Sequence, residues 1–228
     1  MKSFKRNLKI ALAVTAALGL INSAHASLIA ANPTDVNGAG LGAVNTVLTI
    51  TSPNSTSTET GAVSWNGTTA VTSGDTQAQT SSPTIGSLGI TSAAQLRITF
   101  NAAEPSADSI NLTNFVLTIF SPTGTALFNS GAFTPITFAS TNPGVGNAGF
   151  VFRLDDAQAA AAQTAAFGAG FANNRIGLSA SATDATGGLE TFFVSQSVGA
   201  VPEPEAYGML LSGLGLLAFI ARRRRSKG

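Results

Sequence analysis

Short stretches in which polar and apolar residues alternate are the feature that most constrains how this chain folds. They recur between residues 27 and 200, with turn-forming residues separating them at close spacing. Alternation with period two places every second side chain on one face of a strand, so each stretch predicts a half-buried β-strand. About eight to ten such strands predict an all-β domain, and we expect an antiparallel β-sandwich with a jelly roll as its main variant.

The clearest strands are predicted at residues 43–51, 94–100, 110–120, 126–133, 134–140, 148–154, 175–182 and 189–198. Residues 27–37 are interpreted as a short strand or arm, and residues 52–60 and 74–89 as loops rich in serine and threonine. Residues 61–72 are predicted to form a hairpin around Asn66 and Gly67, because this dipeptide favours tight hairpin turns.

A second hairpin is predicted over residues 116–128. The sequence Ser121-Pro122-Thr123-Gly124 has proline at the second position and glycine at the fourth. Type I turns favour both residues at these positions, since proline fixes the required backbone angle.

One segment departs from the strand pattern and predicts a helix of about three turns. Two aspartates, Asp155 and Asp156, open an alanine-rich run that ends at Phe167 and Gly168. Aspartate accepts hydrogen bonds from the free N–H groups of a first helical turn, and glycine commonly ends a helix.

The first 26 residues have the order of a secretory signal peptide. A basic beginning is followed by an uncharged apolar run at residues 10–21, and Ala24 and Ala26 form a small-x-small cleavage pattern. We expect signal peptidase to cut after Ala26. The exported domain then comprises residues 27–200.

Composition excludes several kinds of active site from that domain. The chain has no cysteine, and its single histidine, His25, lies within the expected signal peptide. A thiolate nucleophile, a disulfide, a Ser-His-Asp triad and a zinc site of the usual type are therefore excluded. Residues 27–200 contain three arginines, no lysine and nine acidic residues. This acidic balance disfavours nucleic-acid binding.

The C-terminal residues 201–228 contain three parts in fixed order. The first is an extended polar segment made of Val201, Pro202, Glu203, Pro204 and Glu205. An apolar run, residues 206–221, predicts a transmembrane helix. Four arginines, Arg222, Arg223, Arg224 and Arg225, then form a basic cluster that is expected to stay in the cytoplasm.

The order of these parts resembles the sorting signal of the PEP-CTERM proteins. The resemblance implies recognition by an exosortase, a membrane enzyme, with cleavage near residues 202–205, and a destination at the cell surface or in a polysaccharide matrix. The apolar run would span about 24 Å as a helix, which is shorter than a hydrocarbon core of roughly 30 Å. A short span suits a transient enzyme substrate, whereas a plain C-terminal anchor is the alternative.

Two weak candidate sites come from acidic residues. Asp155 and Asp156, joined by Asp184 or Glu190, would offer oxygen ligands to calcium, although capping of the predicted helix explains the two aspartates more simply. The pairs Glu104 with Asp108, and Asp184 with Glu190, would be the acids of a glycosidase that uses carboxylates alone. Helix capping and scattered surface acids are the preferred explanations, so we expect no cofactor, no metal and no enzymatic activity.

The sequence therefore favours an exported surface or biofilm-matrix protein with a structural or adhesive role. A module that binds extracellular polysaccharide is the main alternative, with Trp65 as its aromatic platform. Twelve phenylalanines between Phe100 and Phe193 are predicted to pack in the core, because each buries a large apolar area without a polar atom.

Overall fold

The computed structural model describes residues 28–31, 45–53, 56–104, 108–139 and 149–196. The chain divides into two compact units, Met1–Gln196 and Ser197–Gly228, and all described residues belong to the first. The predicted signal peptide and its cleavage site, the extended segment, the transmembrane helix and the basic cluster lie outside the described residues.

Eleven strands, one α-helix and three short 3₁₀ turns make up the described part of the chain. The strands are β1 (Leu28–Ala31), β2 (Asn45–Thr51), β3 (Thr58–Trp65), β4 (Ala70–Gly74), β5 (Leu96–Asn101), β6 (Ser109–Phe120), β7 (Ala126–Asn129), β8 (Ile136–Ala139), β9 (Phe150–Leu154), β10 (Arg175–Thr183) and β11 (Leu189–Gln196). The helix α1 spans Asp156–Ala166, and the 3₁₀ turns span Gly86–Leu88, Ala93–Gln95 and Phe171–Asn173. Among the described residues, no helix has the length and apolar character needed to cross a membrane.

The strands form two antiparallel sheets. The order is β1-β9-β5-β11-β2 in the five-stranded sheet and β4-β3-β10-β6-β7 in the six-stranded sheet, where β8 also pairs with β6. A jelly roll has eight strands in two sheets. If the edge strands β1 and β4 are set aside and β7 and β8 are counted as one interrupted strand, eight strands remain, and their order in the two sheets is that of a jelly roll. The predicted sandwich is therefore present, in the variant that the sequence suggested.

The core lies between the two sheets. Five apolar residues of β6 are fully buried, namely Ile110, Leu112, Phe115, Leu117 and Ile119. They are two positions apart, except that three positions separate Leu112 from Phe115. Such alternation buries one face of a strand and leaves the other accessible to water.

Phenylalanine rings join the sheets across this core. The Phe115 ring of β6 lies 5.1 Å from that of Phe152 in β9 and 5.0 Å from that of Phe192 in β11, measured between centroids. Aromatic pairs of this kind add about 0.5–1.5 kcal/mol to the burial of their area. Eight of the twelve phenylalanines are buried, as predicted, namely Phe100, Phe115, Phe128, Phe138, Phe152, Phe167, Phe192 and Phe193.

The predicted helix and both predicted hairpins are confirmed. Helix α1 has eleven residues, which is about three turns. Strands β3 and β4 pair antiparallel across Asn66 and Gly67, and β6 pairs with β7 across the predicted turn. In that turn Gly124 N donates to Ser121 O at 3.0 Å, and Gly124 has a φ of 91°, which favours glycine.

Two predicted boundaries are wrong. Strand β3 begins at Thr58 rather than after a loop ending at residue 60, because the burial of alternate residues extends back to Glu59. Strand β7 ends at Asn129 rather than near residue 133. There the Ser130 hydroxyl accepts a hydrogen bond from Leu117 N at 2.9 Å, and Gly131 turns the chain with a φ of 71°.

Candidate functional site

Five acidic residues of the domain come together at one end of the sandwich, next to a sixth, Asp75, whose Oδ2 accepts a hydrogen bond from Thr60 N at 2.9 Å. Glu59 lies at the beginning of β3, Glu104 and Asp108 lie in the β5–β6 connection, and Asp184 and Glu190 flank the β10–β11 turn. The jelly-roll connections bring these three segments to the same end, although up to 131 positions separate them in sequence. We call these five residues the acidic end.

Glu59 is held by the hydroxyl group of Ser52, the residue that directly follows β2. Ser52 Oγ donates to Glu59 Oε1 at 2.9 Å and lies 3.2 Å from the carbonyl oxygen of Ala185 in the β10–β11 turn. Glu59 is 2% exposed, so its carboxyl group points into the protein. Ser52 therefore connects three distant segments around one carboxyl group.

A second hydroxyl, that of Thr186, joins Glu104 to Asp108. Thr186 Oγ1 lies 2.9 Å from Glu104 Oε2 and 3.2 Å from Asp108 Oδ2, and Thr186 N donates to the same Glu104 oxygen at 2.8 Å. The structure thus brings together the predicted pair Glu104 and Asp108. However, Glu104 is buried and Asp108 is exposed, so the two acids differ in access to solvent.

Glu190 is the most deeply buried acid of the five. It follows Leu189 in β11, faces Ile50 of β2 in the strand register, and has no exposed surface. Apart from the contact between the carboxyl groups of Glu190 and Glu59, both Glu190 oxygens and Oε2 of Glu59 are buried with no hydrogen-bond partner among the described residues. Buried polar atoms normally have such partners, because losing water without replacement costs free energy.

The protonation of this pair follows from its burial. Burial, with smaller contributions from contact with Glu59 and from the charges of Glu59 and Glu104, raises the pKa of Glu190 to about 10. Burial also raises the pKa of Glu59, although hydrogen bonds from Glu190 and Ser52 act against this rise. At neutral pH Glu190 is therefore protonated and donates a hydrogen bond to Glu59.

The contacts found for the three arginines of the domain involve other parts of the chain. Arg97 donates to the carbonyl oxygens of Ala94 and Leu96, Arg153 pairs with Asp156, and Arg175 donates to the carbonyl oxygen of Ser82. The domain also contains no lysine. At the acidic end, hydroxyl and backbone N–H groups contact Glu59, Glu104 and Asp108.

Two shallow pockets open at the acidic end and share Thr186. One, of about 310 Å³, is lined by Ser52, Thr56, Ser57, Ala185, Thr186 and Gly187. The other, of about 280 Å³, is lined by Asp108, Ser109, Asp184 and Thr186. Asp184 has a φ of 62°, an uncommon backbone angle outside glycine that aspartate tolerates better than most residues.

The predicted calcium candidates have other roles. Asp155 caps helix α1, because its Oδ1 accepts a hydrogen bond from Gln158 N at 2.7 Å. Asp156 is 99% exposed and lies 3.2 Å from Arg153 in a surface ion pair. Within the described residues, no three His, Cys, Asp or Glu side chains are arranged to hold one metal ion.

Trp65 lies at the other end of β3 from Glu59 and is half-buried. Its Nε1 donates to the carbonyl oxygen of Pro122 at 2.9 Å, and the Arg175 guanidinium carbon lies 3.9 Å from the ring centroid. The indole therefore connects β3 to the β6–β7 turn. Part of its surface is already covered by a cation–π contact.

Sequence reasoning missed Glu59, which was placed in a loop. A usable signal was present, since Glu59, Gly61 and Val63 occupy alternate positions and Val63 is clearly apolar. Extending the period-two pattern backwards from Val63 would have put Glu59 on the buried face.

The sandwich and the segment that follows it define the class of this protein as an all-β domain with a C-terminal sorting segment. Residues 200–225 match the family model of the PEP-CTERM protein-sorting motif. No curated protein and no solved structure shows significant similarity to the chain. The motif implies that an exosortase processes the protein and that it is exported through membrane-associated sorting to the cell surface.

Proposed function

We propose that this protein is a non-enzymatic structural or adhesive component of the bacterial surface or biofilm matrix. The observation that carries the proposal is the sorting motif at residues 200–225, which begins four residues after the last strand of the sandwich. A disulfide-free sandwich stabilised by an aromatic core suits a stable extracellular building block. Signal peptidase removes residues 1–26, and the exosortase cuts the tail near residues 202–205.

The placement of the acidic residues supports a non-enzymatic role. A glycosidase needs two carboxyl groups that both reach the sugar. In each candidate pair one acid is exposed and the other is buried, since Glu104 is 1% exposed and Glu190 is 0% exposed. Asp108 and Asp184 line the pocket of about 280 Å³ without their buried partners Glu104 and Glu190, and no acid lines the pocket of about 310 Å³. A sugar in either pocket would therefore touch at most one acid of each candidate pair.

Sorting and cleavage are tested by the mass and location of the protein in its own host. The exported protein is expected to lack Arg222 to Arg225, and deletion of the exosortase should leave the full tail in the membrane fraction. Replacing Pro202, Glu203 and Pro204 by alanine should have the same effect, whereas D156N, a surface change in the domain, should not. A mature protein that keeps the basic cluster in the wild-type host would favour the plain anchor instead.

Binding of extracellular polysaccharide is the second candidate function. The half-buried Trp65 beside Arg175 favours it, because an indole and a guanidinium group offer a stacking surface and hydrogen-bond donors. Glycan-array binding that W65A abolishes and W65F largely retains would support this role. Absence of binding by the wild-type protein across bacterial polysaccharides would favour the purely structural role.

A further inference from the structure

We propose that Glu59 and Glu190 form a binding site for a divalent cation of the calcium type, with Ser52 Oγ and the carbonyl oxygen of Ala185 as neutral ligands. This site differs from the Asp155–Asp156 candidate, and it does not depend on how the C-terminal tail is processed.

The first argument is the convergence of oxygen atoms from four segments. Ser52 Oγ lies 2.9 Å from a Glu59 oxygen and 3.2 Å from the Ala185 carbonyl oxygen, and the Glu190 carboxyl group contacts that of Glu59. Calcium takes six to eight oxygen ligands from carboxylates, carbonyls, hydroxyls and water, so a set with two carboxylates is within its range.

The second argument is that the pair has unused binding capacity. Apart from their contact with each other, both Glu190 oxygens and Glu59 Oε2 are buried with no hydrogen-bond partner among the described residues, on side chains that are 0% and 2% exposed. A protein rarely keeps such atoms unless a ligand, ion or water uses them. Two carboxyl groups facing each other attract a cation, because one divalent ion can neutralise the charge of both.

The third argument concerns access. The pocket of about 310 Å³ is lined by Ser52 and Ala185, the two residues that would supply the neutral ligands. Its other lining residues are small or carry hydroxyl groups, namely Thr56, Ser57, Thr186 and Gly187. Glu59 and Glu190 do not line this pocket, so a cation would reach them past Ser52, whose hydroxyl contacts Glu59, and would keep water molecules on the pocket side.

Glu104, whose charge also acts on Glu59 and Glu190, would strengthen the attraction for the cation.

The test is calcium binding to the full chain, purified in detergent, by equilibrium dialysis and by thermal unfolding. We expect one calcium ion per chain with a dissociation constant near that of extracellular modules, about 0.1–1 mM. At a hundredfold excess over the dissociation constant, calcium should raise the unfolding midpoint by about 5–10 °C relative to EGTA.

Matched variants assign the site. E190Q and E59Q should lose binding and the thermal shift, while remaining folded in EGTA because glutamine replaces a carboxyl group of the same shape. The control D156N removes an exposed acid at the rival candidate and should bind calcium like the wild type. Equal unfolding midpoints in calcium and EGTA, no bound calcium in dialysis, or unchanged binding by E190Q would each overturn the proposal. Loss of binding in D156N would place the site at Asp155 and Asp156 instead.

Discussion

Replacing Glu190 by glutamine should make the protein more stable at neutral pH and weaken the dependence of its stability on pH. Glu190 has no exposed surface, and burial raises its pKa to about 10 from an ordinary value of 4.5. The folded protein therefore holds a proton on this side chain between these two pH values, whereas the unfolded chain releases it. Glutamine has nearly the same shape and stays neutral at every pH.

The size of the effect follows from proton linkage. The folded state binds more protons than the unfolded state above pH 4.5, so the free energy of unfolding is greatest below that pH and falls as the pH rises towards 10. One proton contributes a loss of a little over 1 kcal/mol per pH unit. Between pH 5 and 7 the wild type should lose about 3 kcal/mol, or roughly 5–10 °C in unfolding midpoint.

The assay is chemical and thermal unfolding at pH 5, 6 and 7 in EGTA, so that no cation replaces the proton. E190Q should resemble the wild type at pH 5 and exceed it at pH 7, with a residual slope due to Glu59, whose pKa burial also raises. The control D156N removes one exposed acid and should keep the wild-type slope. A wild type with constant stability from pH 5 to 7, or an E190Q variant with an undiminished slope, would refute the reasoning.

Two further predictions concern local structure. D155A should lower the free energy of unfolding by about 1 kcal/mol, because it removes the side chain that accepts a hydrogen bond from Gln158 N at the start of helix α1. D155N should keep most of the wild-type stability, because asparagine also caps helices. Urea unfolding measures both variants, and a D155A variant as stable as the wild type would contradict the capping role. G124A should destabilise by more than 1 kcal/mol, since Gly124 has a φ of 91° and an added Cβ would lie 2.5 Å from the carbonyl carbon of Asn66. G168A, where an added Cβ meets no atom within 4 Å, is the matched control, and an equal loss there would contradict the argument.

Local signals in the sequence predicted most of the fold. The hairpin over residues 116–128 and the helix after Asp155 were predictable because their signals, a Pro-Gly turn and an aspartate before an alanine run, act between residues close in sequence. The end of β7 was harder to predict. Its limit depends on Ser130, whose hydroxyl bonds to Leu117 on the neighbouring strand.

The candidate site was less predictable than the fold. Among the suggested acid pairs, only Glu104 with Asp108 shares a hydrogen-bond partner in the described structure, through the hydroxyl of Thr186. Glu190 was suggested as a possible partner of Asp184, yet its carboxyl group contacts that of Glu59, which is 131 positions away in the sequence. No short-range pattern could link these two residues, because the link is made by strand order.

The sequence by itself determined the sorting of this protein, because the signal is read as a linear order of residues: a Pro-Glu-Pro segment, an apolar run and a basic cluster. It also determined the sandwich class, since alternation along a strand decides which face is buried. Only the tertiary structure decided which acids meet. A jelly roll returns distant segments to one end of the molecule, and there the burial of Glu59 and Glu190 changed two ordinary carboxyl groups into a pair that holds a proton.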